Sequence, residues 1–134
     1  MATARNKRYS LPLAPQNSIT PSKEIGRIGL LYHPKLPQSR VMVADMLEFI
    51  ESFGVTAWVS DTWDDRTVAA KIGRTDVLIT LGGDGSILRA AHMALEHNVL
   101  IMGVNLGRLG FLAEIEPSEW RERFEQMLTA SKIG

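Results

Sequence analysis

Three glycines surround a carboxylate in Leu81-Gly82-Gly83-Asp84-Gly85-Ser86-Ile87-Leu88-Arg89. Without Cβ atoms such a backbone comes close to a ligand, and its N–H groups, with a following helix N-terminus, form a concave anion site that suits phosphate. A carboxylate there would repel the anion, so Asp84 needs a separate task. The tasks open to a carboxylate beside phosphates are holding Mg²⁺ and taking a proton from an attacking hydroxyl, and both belong to phosphoryl transfer. Arg89, one helical turn on, supplies positive charge. The loop lacks the Lys-Ser/Thr pair of a Walker sequence and the glycine spacing of the dinucleotide fingerprint. The competing reading is a tight strand-to-helix turn in which Asp84 caps the helix.

A second constellation lies at Gly103-Val104-Asn105-Leu106-Gly107-Arg108-Leu109-Gly110-Phe111-Leu112. If both segments leave the C-terminal ends of parallel strands, Gly107, Gly110 and Phe111 share a crevice with Asp84, the glycines admitting a ligand and Phe111 covering a ring. The competing reading is a surface turn with Phe111 in the core.

The elements that must position these residues alternate. Arg27 to Tyr32 is an apolar run stopped by His33-Pro34 and reads as a buried parallel strand. Val43, Met46, Leu47, Ile50 and Phe53 recur at helical spacing, with Gly54 as a stop. Thr56 to Val59 reads as a strand, Asp64 to Ile72 as a helix, and Val77 to Leu81 as the clearest strand. Ile87, Leu88, Ala91 and Leu95 predict a helical stripe, Val99 to Val104 a strand, and Trp120, Phe124, Met127 and Leu128 a last helix after Pro117. The order β-α-β-α-β-α-β-α implies an α/β fold, a parallel sheet with helices on both faces and function at the strand C-terminal edge.

Composition narrows the classes. The 134 residues carry 15 basic and 15 acidic side chains and 45% hydrophobic residues, enough for one core. No apolar stretch reaches bilayer length, so no membrane role is expected, and the absent basic surplus argues against nucleic acid. Zero cysteines exclude thiolate chemistry and fit a cytoplasmic setting. Residues 1–24 hold four basic residues and one acid, are rich in Pro and Ser, and read as a disordered basic tail rather than a transit peptide; residues 25–134 are the folded domain.

Other residues have blander readings. His33, His92 and His97 read as solvated or packed rather than catalytic, and Trp58, Trp63 and Trp120 as packing residues at element ends. Glu114, Glu116, Glu119, Glu122 and Glu125 read as a solvated face, with no metal role.

Gly82-Gly83-Asp84-Gly85-Ser86 together with Asn105-Leu106-Gly107-Arg108-Leu109-Gly110-Phe111-Leu112 resembles the two motifs of the NAD kinases, over about Arg27 to Glu116. The glycine–aspartate–glycine motif alone also resembles phosphofructokinases, diacylglycerol kinases and sphingosine kinases of the same superfamily; the second motif decides. The resemblance implies a Rossmann-like domain and ATP-dependent phosphorylation of the 2′-hydroxyl of the adenosine ribose of NAD, giving NADP, with Mg²⁺ required. It makes Asp84 the catalytic base, Asp84, Gly85, Arg89 and Phe111 the NAD-binding residues, Gly82, Gly83 and Gly85 the phosphate loop, and Arg108 a helper at a position where the family varies. It further implies homo-oligomers and a β-rich C-terminal domain, absent from these 134 residues, that carries an Asn-Glu pair and most of the interface. A lipid or sugar kinase, or a non-catalytic nucleotide-binding module, stands as the alternative.

Overall fold

A computed structural model of the chain describes residues 24–107 and 112–133. The tail reading of residues 1–23 lies outside the described residues, as do Arg108 and Phe111. Four strands, β1 (Arg27–Tyr32), β2 (Thr56–Asp61), β3 (Val77–Gly82) and β4 (Leu100–Asn105), alternate with helices α1 (Pro37–Glu51), α2 (Asp65–Lys71) and α3 (Asp84–Met93). A 3₁₀ turn (Pro117–Glu119) leads into α4 (Trp120–Ile133). The strands form one parallel sheet in the order β2-β1-β3-β4. The alternation expected from the sequence is therefore the one adopted, and strand order reverses direction between β1 and β3.

Strand alternation distributes the core over two faces. Ile28 and Leu30 of β1 and Ile79 and Leu81 of β3 meet Val43, Met46 and Ile50 of α1 and Phe124 and Leu128 of α4. Leu31 and Leu78 point the other way, toward Val68 and Ile72 at α2 and Ala90 and Ala94 at α3. Gly29 belongs to this second face, and the Trp58 indole and Leu78 fill the space a Cβ would need. Trp58 is locked there by its Nε1–H donating to Thr75 Oγ1 at 3.0 Å.

The stripe expected on α3 is corrected by the structure. Leu88 and Leu95 are exposed, at 62% and 72%, whereas Ser86, Ala90 and Ala94 are buried. These small residues recur every fourth position and let α3 lie close to the sheet, and Gly103 of β4 leaves its Cβ space to Ile87. The large apolar residues are displaced to the flanks.

Local chemistry explains the helix ends. Asp64 caps α2 by accepting the Thr67 N–H at 3.1 Å, and Thr67 Oγ1 donates to its other oxygen at 2.6 Å. These bonds hold the Asp64 carboxyl below its ordinary pKa. Glu116 and Glu119 form a capping box at the 3₁₀ turn. Two members of the acidic run thus order the chain entering α4. No described helix is long and apolar enough to cross a membrane.

Candidate functional site

In an open parallel sheet, ligands bind outside the strand C-termini where strand order reverses, here between the ends of β1 and β3. At the end of β3, Gly82 has φ +156, and a Cβ there would collide with the Ser86 side chain. Gly82 is still paired with Asn105 of β4 and buried, so the exposed part of the loop begins at Gly83. Gly83 is the N-cap of α3 and Asp84 its first residue, which places the carboxylate inside the helix rather than at the capping position proposed by the blander reading. Gly85 follows on the exposed first turn.

The two motifs meet. Leu112 N–H donates to Asp84 Oδ1 at 3.0 Å, and Leu106 N–H donates to the Gly82 carbonyl at 2.9 Å. Asn105 Oδ1 accepts the Gly107 N–H at 3.1 Å, an Asx-type turn just past the end of β4. Gly107 lies against Gly83, whose Cα is 3.7 Å from where a Gly107 Cβ would sit. The returning chain then runs beside β4, with Asn105 N–H donating to the Ile115 carbonyl at 2.8 Å and Ile115 N–H to the Gly103 carbonyl at 3.1 Å. Asn105 Nδ2 also reaches Glu116 Oε2 at 3.4 Å.

Arg89 is on the α2 side of this loop, where Nη2 forms an ion pair with Asp65, the first residue of α2. Its Nε is buried and has no partner among the described residues. Phe111 and Arg108 lie outside the described residues, so their places in the crevice rest on the sequence. Elsewhere, the Glu114 carboxyl is raised above the ordinary range by desolvation, opposed by the Arg123 charge.

One residue read as solvated or packed lies in the crevice. The register that sets Leu31 opposite Thr80 carries His33, just past β1, to the side of Gly82. The His33 Cδ2 atom is 3.4 Å from the Gly82 Cβ position, and its ring packs on Trp63 with centroids 4.9 Å apart. Trp63, just past the end of β2, packs on that ring while remaining 44% exposed. The apolar run ending in His-Pro was the available signal, because the end of a first parallel strand abuts the switch point.

Among the described residues no three His, Cys, Asp or Glu side chains converge as a cation cage. The arrangement offers an anion-binding helix N-terminus with one carboxylate at its mouth.

Comparison with known proteins follows the same two motifs. The model of the ATP-NAD kinase N-terminal domain family matches residues 28–133. An NAD kinase of Dehalococcoides mccartyi is 33% identical over 102 residues, covering 76% of this chain and 36% of that protein. One from Lachnoclostridium phytofermentans is 42% identical over 88 residues, covering 61% and 30%. The chain thus spans about a third of the length of these relatives. In fold it is similar to yeast NADH kinase complexed with NADH, with TM-score 0.66 and 18% identity over 82% of this chain and 40% of that one.

Proposed function

The chain belongs to the ATP-NAD kinase N-terminal domain family, and on that premise we propose that it supplies the phosphate loop and the general base of an NAD kinase. Asp84 takes the proton of the ribose 2′-hydroxyl of NAD as that oxygen attacks the γ-phosphorus of ATP. The bond to the β,γ-bridging oxygen breaks, and ADP and NADP are released. The observation that carries this reading is the bond from Leu112 N–H to Asp84 Oδ1, which sets the second motif over the first.

In this reading Gly83, Gly85 and the first turn of α3 face phosphate, with Gly82 supporting them from the strand end. Asp84, Gly85, Arg89 and Phe111 contact NAD. The Leu112 bond helps hold the Asp84 side chain at the mouth of the loop. The described residues do not form a Mg²⁺ cage; the ion arrives on the phosphates of ATP, as part of the donor substrate. The setting is the cytoplasm, and the active protein is a homo-oligomer.

The test is calorimetric titration of NAD and of ATP into the chain, and assay of NADP in an enzyme that carries this segment at the full length of its relatives, with diacylglycerol and fructose 6-phosphate as rival acceptors. Binding of both nucleotides with NAD as the only acceptor used supports the reading. Transfer to either rival acceptor, or binding of neither nucleotide, overturns it.

A further inference from the structure

We propose that His33 is a phosphate-binding residue of the crevice, presenting Nε2–H as a neutral hydrogen-bond donor beside the glycine loop. This rests on the nucleotide-site reading above and adds a contact from a different strand. The ring's state follows from its surroundings. Lys35 N–H donates to His33 Nδ1 at 3.1 Å, so Nδ1 is the acceptor nitrogen and the neutral ring carries its proton on Nε2. Among the described residues nothing accepts from Nε2.

The ring is also held in place. Leu36 N–H donates to the His33 carbonyl at 3.0 Å, closing a turn in which Pro34 presets the backbone. Ser39, fully buried in the first turn of α1, accepts the His33 N–H at 2.9 Å, and its hydroxyl lies 2.7 Å from the Leu36 carbonyl and 3.0 Å from that of His33. Trp63 covers the ring from the β2 side, and Gly82 adjoins its Cδ2 edge. Cδ2 is bonded to Nε2, so the donor lies on the edge of the ring that faces the glycine loop. A fixed donor beside an anion-binding backbone suits a phosphate oxygen, and it adds attraction without the ordering cost of a long flexible side chain. The phosphate belongs either to the triphosphate of ATP or to the pyrophosphate of NAD.

The experiment has two arms on the 134-residue chain. Long-range ¹H–¹⁵N spectra of the unaltered protein read the His33 tautomer, then follow the Nε2 resonance during additions of tripolyphosphate, ATP and NAD. The Nε2–H form, shifted by tripolyphosphate, is expected; an Nδ1–H ring, or a ring indifferent to all three, overturns the proposal. Calorimetry then compares His33→Phe, which keeps the stacking volume, with His33→Gln, which restores a donor near the Nε2 position. His33→Phe is expected to weaken ATP or NAD by about tenfold or more, the worth of a hydrogen bond to a charged group, with His33→Gln recovering part of it. The nucleotide that weakens identifies the phosphate. Unchanged affinity in His33→Phe for both, with the wild-type chain binding normally, refutes the His33 contact alone. Failure of the wild-type chain to bind any of the three probes refutes the phosphate loop itself, and this contact with it.

Discussion

The backbone N–H of Leu112 donates to Oδ1 of Asp84 at 3.0 Å across 28 positions of sequence. That bond fixes the one carboxylate in the first turn of α3 and ties the chain beyond β4 to the loop beyond β3. Asp84 is thereby oriented by a peptide group, which neither donates a competing charge nor titrates.

Asp84→Asn is expected to lower NADP formation roughly 10²–10⁴-fold in any preparation that turns over NAD. The amide oxygen still accepts the Leu112 N–H, so folding and nucleotide affinity should change little. Steady-state assays at saturating NAD and ATP, with thermal melting alongside, check both halves. Wild-type turnover in the variant would remove Asp84 from the role of base.

The 134-residue chain alone is expected to show little or no turnover, because in-line transfer depends on holding donor and acceptor together and the relatives are about twice this length. Leu88, Leu95 and Leu112 are 62%, 72% and 48% exposed, which also favours self-association. NADP assay and light scattering of the same sample test the pair of expectations, and brisk turnover by a monodisperse monomer would contradict them.

Gly29→Val should destabilise the fold by about 1–3 kcal/mol, the usual cost of overpacking a filled core. The Trp58 ring and Leu78 occupy the space its side chain requires, and Trp58 is held by its bond to Thr75. Gly73→Val, at a position with nothing near its Cβ site, is the matched control. Chemical denaturation of the two variants compares them directly.

The Asp64 cap imposes a pH dependence. Its folded carboxyl titrates below the ordinary 3.8 because Thr67 donates to it twice. The folded state therefore binds fewer protons than the unfolded chain in the acid range. The stabilisation is present above the ordinary value and is lost as pH falls through the depressed one. Thermal midpoints of wild type and Asp64→Asn, measured from pH 6 to pH 2, should converge at the acid end. A constant gap would assign the difference to something other than ionisation.

Much of the site's position was legible in the residue pattern. Continuous apolar runs such as Val77 to Leu81 suit only strands buried on both faces, and glycines directly after such a run mark the edge where a parallel sheet binds ligands. The helix in front of Pro117 was less legible than the one after it, for a physical reason. On α3 the buried face is made of Ser86, Ala90 and Ala94, which hydropathy does not distinguish from exposed small residues. Trp63, an apolar residue by type, is left exposed because it stacks on a ring outside the core.

Local composition and periodicity thus determined the strand and helix content, the parallel class and the loop that carries Asp84, since each follows from nearby residues and the need to bury apolar area. The partners of Asp84, Arg89 and His33 were settled by packing at long range. Leu112, Asp65 and Gly82 come near them only after strand order and helix faces are set. No local pattern encodes a contact between residues whose distance along the chain is unrelated to their distance in space.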